Sequence, residues 1–206
     1  MVRQRSVRQP GRGVGNSASR REILVFTEGE RTEVQYLTHW HRLHRAHVLV
    51  TIDDFHGGPL QLVEQAVARL KSDRRTEKKG GGRAPSETWC VFDIDEHPNV
   101  SEALHLAGIN DIRIAVSNPC LELWSLIHFR DQTAWIHRHD AQSAVGEFMT
   151  KGKVLRPVDL ENLMTRHQDA RQRAQHLTAV HEGNGSPPGE NPSSNMWCLI
   201  DSIARI

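Results

Sequence analysis

Four short apolar runs, each closing on a polar turn and each followed by helical spacing, constrain this chain more than any other feature. They are Ile23–Thr27 (ILVFT), Val48–Ile52 (VLVTI), Trp89–Phe92 (WCVF) and Ile112–Val116 (IRIAV). Runs this short, rich in β-branched and aromatic residues, read as buried strands. After the first, Val34, Leu37, Trp40 and Leu43 or His44 recur at helical spacing, with Tyr36 widening the stripe. Pro59 suits a first helical position, and Leu60, Val63, Val67 and Leu70 follow it on one face. Ser101–Ala107 forms a short helix, and Pro119 leads into a run to Phe129 that is apolar almost all round. The order is therefore β-α-β-α-β-α-β-α over residues 22–130. Strands separated by helices need crossovers, which predicts an α/β fold with a mostly parallel sheet covered by helices.

The flanks differ in character. Residues 1–21 hold six arginines and no acid, and predict a disordered basic tail, either an arm for nucleic acid or a solvated leader. Residues 131–206 predict a helical extension, with helices over Ala141–Thr150, Pro157–His181 and Ser193–Ile206 and a loop at Gly183–Asn191. Met196, Leu199, Ile200 and Ile203 give the last helix an apolar face to dock on the sheet. Lys71–Glu87 carries six basic residues against three acidic, with a Gly80–Gly82 run, and predicts a mobile basic loop. Lys78, Lys79 and Arg83 on it are candidates for a phosphate backbone, unless the loop is a solvated insertion. The net charge of +1 excludes a field over the whole molecule that would by itself draw in nucleic acid. Three scattered cysteines, Cys90, Cys120 and Cys198, form no pair suited to a zinc ribbon or a disulfide framework. With no apolar run of membrane-spanning length, a cytoplasmic location and no membrane partner are expected.

Chemistry concentrates where strands end. Asp93 and Asp95 follow the third run two residues apart, so in extended chain both point to one face just past the strand. Two carboxylates at close range repel unless a cation lies between them, and a hard divalent metal, Mg²⁺ or Mn²⁺, supplies one. The same residues also suit the start of a solvated loop. Glu28 ends the first run in Glu28-Gly29-Glu30-Arg31-Thr32-Glu33, with Gly29 allowing a bend, Thr32 a candidate N-cap and Arg31 a candidate phosphate contact. Glu30 and Glu33 are weaker candidates, because acids in a first helical turn suit the dipole anyway. Glu122 stands among Leu121, Leu123 and Trp124, where a carboxylate needs a partner, a cation or water. Asp53 and Asp54 fit a turn, and the histidines at 39, 41, 44 and 47 fit a helix end better than a metal site.

Taken in order, ILVFTEGERTE, VFDIDEH and AVSNPCLELWSLIHF closely resemble the RloB-like family, prokaryotic defence-associated proteins with a core similar to the TOPRIM domain. The resemblance covers about residues 22–130, with an echo at Asn191-Pro192-Ser193-Ser194. It implies a TOPRIM-like fold and a metal site built from Glu28, Asp93 and Asp95, and Glu122 and Asn118 match the family's own motif. It further implies cleavage of RNA, tRNA included, or of DNA, an AAA-type ATPase partner and a role in abortive infection of phage-infected cells. The Arg-rich tail and the basic loop lie outside the motifs. The leading expectation is a Mg²⁺- or Mn²⁺-dependent nuclease with Glu28, Asp93, Asp95 and Glu122 as catalytic and metal residues, and with oligomerisation open. The alternatives are a non-catalytic subunit that regulates the ATPase, and a phosphohydrolase of the haloacid-dehalogenase kind using Asp93 as nucleophile.

Overall fold

In the computed structural model the described residues are 20–94, 97–150, 152, 154–187 and 189–205. The elements run β1 (Arg21–Thr27), α1 (Thr32–His44), β2 (Val48–Ile52), α2 (Pro59–Lys78), β3 (Glu87–Asp93), α3 (Val100–Ile109) and β4 (Arg113–Asn118). They continue as α4 (Leu121–Leu126), α5 (Arg138–Val145), α6 (Pro157–Thr165), α7 (His167–Gly183), β5 (Ser193–Ser194) and α8 (Met196–Ala204). The four apolar runs are the four parallel strands, and the sheet order is β2-β1-β3-β4-β5.

Strands β1 and β3 bury both faces, which is why their sequences are apolar without alternation, while β2 and β4 alternate buried with more exposed positions. Ile23, Val25, Val50, Trp89, Val91 and Ala115 pack on one side with Leu37 and Trp40 of α1, Trp124 of α4 and Leu199 and Ile203 of α8. Leu24, Phe26, Cys90 and Phe92 pack on the other with Leu62, Val63 and Ala66 of α2 and Ala103 and Ala107 of α3. The split follows from right-handed crossovers: β1 to β2 steps one way across the sheet, β2 to β3 and β3 to β4 the other. The chain thus reverses direction between β1 and β3, and the carboxyl ends of those strands flank the crevice where open α/β sheets bind ligands.

Three expectations are corrected. Lys71–Glu87 is not a loop throughout: α2 runs on to Lys78 and Lys79 is its C-cap. Buried Leu62, Val63, Ala66, Val67 and Leu70 anchor its first turns, and the Arg69–Asp73 pair at 3.1 Å supports the charged turns beyond. Gly80, at φ +80°, ends the helix in the left-handed conformation that glycine adopts cheaply. Secondly, Pro157–His181 is two helices meeting at Arg166, α6 being fixed by Asp159, which accepts from Arg156 N at 2.9 Å and Thr150 N at 3.1 Å. Thirdly, the extension is not wholly helical, because Ser193–Ser194 pair antiparallel with Ser117–Asn118 and add an edge strand. Residues 1–19, most of the expected basic tail, lie outside the described residues, as do Asp95 and Glu96. Among the described residues no helix is long and apolar enough to cross a membrane.

Candidate functional site

The crevice at the β1–β3 reversal opens into a cavity of about 610 Å³ on the α1 side of the sheet. Glu28, Glu30, Glu33, Asp93 and Glu122 line it, with Arg31, Arg138 and Gln142. The placement follows from the chain path. Glu28 leaves the end of β1 and donates its backbone N–H to Val91 O of β3 at 2.9 Å. Asp93 is the last residue of β3, and Glu33 and Glu122 lie in the first turns of α1 and α4.

Asp93 is the hub. Its backbone N–H donates to Glu28 Oε2 at 3.1 Å, its Oδ1 accepts from Leu121 N at 2.9 Å and its Oδ2 accepts from the Arg138 guanidinium at 3.0 Å. Glu28 Oε1 contacts His97 Nε2 at 2.9 Å. Burial, then the charges of Glu28, Glu122 and Glu33, push the Asp93 carboxyl up to about 8, and Arg138 offsets only part of this. Burial also raises Glu33, against hydrogen bonds from backbone N–H groups and with further push from Glu122 and Glu28. The pocket therefore concentrates more negative charge than its two arginines balance. Cys120, buried beneath it, is held as a thiol by burial and by Glu122, so it is no nucleophile here.

The donors suit a hard divalent cation in kind, all carboxylate oxygens in a cavity of excess negative charge. As the side chains stand, no three of His, Cys, Asp or Glu among the described residues are gathered around one metal-sized point. Glu28 and Asp93 hold His97 and Arg138 instead, so binding a cation requires exchanging those partners.

Of the residues expected from the sequence, Glu28, Asp93, Glu122 and Arg31 line this cavity, and Asp95 lies outside the described residues. Asn118 turns elsewhere and donates from Nδ2 to Gly189 O at 2.8 Å, tying the segment before β5 to the sheet. Lys78, Lys79 and Arg83 are exposed where α2 returns to the amino end of β3, the sheet edge opposite the carboxylates. Asp53 accepts from Phe55 N at 3.1 Å and pairs with Arg69, a turn role. Gly29 does not need a left-handed φ; it needs the absence of a Cβ, whose place would collide with the Glu33 carboxylate. Arg138, Gln142 and His97 were missed. Only His97 carried a signal, two residues beyond the D-x-D; Arg138 reaches Asp93 across 45 positions and no local spacing marks it.

A family model described as RloB-like protein matches residues 23–203, reaching well beyond the motifs into the C-terminal helices. No curated protein and no solved structure matches the chain.

Proposed function

The chain belongs to the RloB-like family, and from that premise and its carboxylate pocket we propose a nuclease that hydrolyses phosphodiester bonds of RNA or DNA with Mg²⁺ or Mn²⁺. One observation carries this: Glu28 and Asp93, from adjacent strand ends at the reversal of the sheet, share a cavity with Glu33 and Glu122 that leaves Asp93 short of positive charge. Glu28, Asp93 and Glu122 would hold the metal, with Asp95 as the further ligand expected from the sequence. When bound, the metal would neutralise the scissile phosphate and stabilise the leaving oxygen. Glu28 would take the proton of an attacking water, and His97, 2.9 Å from it, would pass it outward. Arg138, released from Asp93, would pair with the phosphate, as would Arg31 at the cavity rim.

The test is incubation of the purified chain with total tRNA and with plasmid DNA in Mg²⁺, Mn²⁺ or EDTA. Glu28→Gln is the cleaner control, because an amide still accepts from Asp93 N and still meets His97 while the charge is gone. Asp93→Asn keeps an acceptor for Leu121 N but turns its amide toward Arg138. Both variants are expected to lose metal-dependent cutting by at least about a hundredfold while melting cooperatively. Full cutting by either rules the nuclease out.

The Arg138–Asp93 pair favours a second reading, in which the chain rests until a partner draws the guanidinium away. An ATPase of the same antiviral system would be that partner, and the chain would then serve it as a regulatory subunit without chemistry of its own. Cutting only in the ATPase's presence separates gating from both the autonomous enzyme and the silent subunit.

A further inference from the structure

The segment leading into α5 has a surface that the pocket chemistry does not use. Trp135 is 65% exposed, while Trp40, Trp89 and Trp124 are buried and Trp197 is partly covered, so it is the one exposed tryptophan of the five. From Trp135 to His139 the side chains alternate: Trp135, His137 and His139 face solvent, Ile136 is buried and Arg138 turns inward to Asp93. The three outward rings form a row, with centroids 6.2 Å and then 5.2 Å apart.

A lone exposed apolar residue needs no explanation, but this one stands on a fixed support. The Asn191 side chain holds both backbone groups of Ile136, accepting from its N–H at 3.1 Å and donating to its C=O at 2.9 Å. His137 caps α5 by accepting from His139 N at 3.3 Å, which sets its ring. The ring planes are tilted by 52° and 43° to one another, so a base would rest on the exposed Trp135 indole with the histidines beside it, and three residues of chain, at most about 11 Å, separate Trp135 from the arginine in the pocket. A base resting on Trp135 would leave its adjoining backbone within about that reach of the carboxylates. Stacking on a ring face needs a base free of its partner strand.

We infer that Trp135, with His137 and His139 beside it, is a stacking platform for unpaired nucleobases, so that the substrate is single-stranded nucleic acid or an unpaired loop. The inference rests on the phosphodiester reading of the pocket for its geometry, but not for its test. The test is anisotropy titration of the full chain in Ca²⁺ with a dye-labelled oligoadenylate, and with the same strand in a duplex with oligouridylate. Trp135→Ala is expected to weaken single-strand binding about 5- to 150-fold and duplex binding far less. Trp135→Phe, which keeps a ring face, is expected to recover most of the loss. Because the indole is exposed, both variants are expected to melt as the parent does.

Unchanged single-strand affinity in Trp135→Ala overturns the platform, and so does equal loss on single strand and duplex, or no detectable binding of the single strand by the parent. The same oligonucleotide in Mg²⁺ or Mn²⁺ separates the two proposals. Trp135-dependent binding without cleavage keeps the platform and removes the autonomous nuclease. Cleavage indifferent to Trp135 keeps the nuclease and removes the platform.

Discussion

Burial and three neighbouring glutamates push the Asp93 carboxyl up to about 8, a shift that favours its protonated form at neutral pH. A cation bound there displaces that proton, because the metal takes the ionised form. Mg²⁺ binding at pH 7 is therefore expected to release about one proton, measured by calorimetry in two buffers of different ionisation enthalpy. Asp93→Asn should abolish the release; release of the same size in that variant would place the proton elsewhere. Gly29 makes a second residue-scale case. A methyl group there would displace the Glu33 carboxylate, the free end of a flexible side chain, and leave the backbone in place. Gly29→Ala should keep stability within about 0.5 kcal/mol yet weaken metal binding or cleavage about tenfold. An unchanged metal titration would show that Glu33 does not contribute. At this scale the sequence disclosed residues whose position in a strand end defines their direction, Glu28 and Asp93 above all. It hid Arg138, which helix α5 brings back to Asp93 only once the C-terminal half has folded over the sheet.

Among the elements, α2 determines which basic residues can meet a substrate at the carboxylates. Its 20 residues span about 30 Å, so it carries Lys78 from the carboxyl edge, where it begins, to the opposite edge. Reversing charge at Lys78, Lys79 and Arg83 together is expected to leave cleavage rates unchanged; a large loss would mean that substrate wraps the whole sheet. The Gly80–Gly82 run and the charged residues before it concealed these turns, because their helix rests on an apolar stripe that stops at Leu70. Strand β5 was hidden for the opposite reason. Two serines make no apolar run, and the edge is completed by Asn195, whose side chain accepts from Val116 N at 2.6 Å and donates to Ile114 O at 3.0 Å. Asn195→Ala strands both backbone groups of β4. It should cost about 1–3 kcal/mol, visible as a melting temperature lower by roughly 2–12 °C. The four parallel strands were legible as short runs rich in β-branched and aromatic residues between turn residues, β1 and β3 being buried on both faces.

Across the whole molecule, stability and site chemistry depend on pH in opposite senses. His128 is 1% exposed behind the sheet, its Nδ1 bound to Trp124 O at 2.7 Å, and burial pushes it down to about 3. Burial also lowers His167, despite its bond to Asp201. His128 stays neutral when folded and charges near 6.5 when unfolded, and His167 is shifted in the same direction, so below that pH the unfolded chain binds more protons and stability falls. For His128 the loss is about 1.4 kcal/mol per pH unit down to about pH 3, and His167 adds to it in the same sense. Asp93 runs the other way. Its folded value of about 8 lies above its unfolded 3.8, so it stabilises at low pH and that contribution is lost as pH rises between the two. On the acid side the lowered histidines oppose Asp93 and Glu33, while the Asp93 contribution goes on falling above 6.5. Without divalent cation, the melting temperature should therefore peak near pH 6.5, falling on both sides. His128→Asn keeps a donor for Trp124 O but does not titrate, and should make the acid-side slope shallower. Mg²⁺ should flatten the alkaline side by holding Asp93 ionised in the folded state. A melting profile rising steadily from pH 6.5 to 8 without metal would show that Asp93 is ionised in the resting pocket, with Arg138 as sufficient counterion.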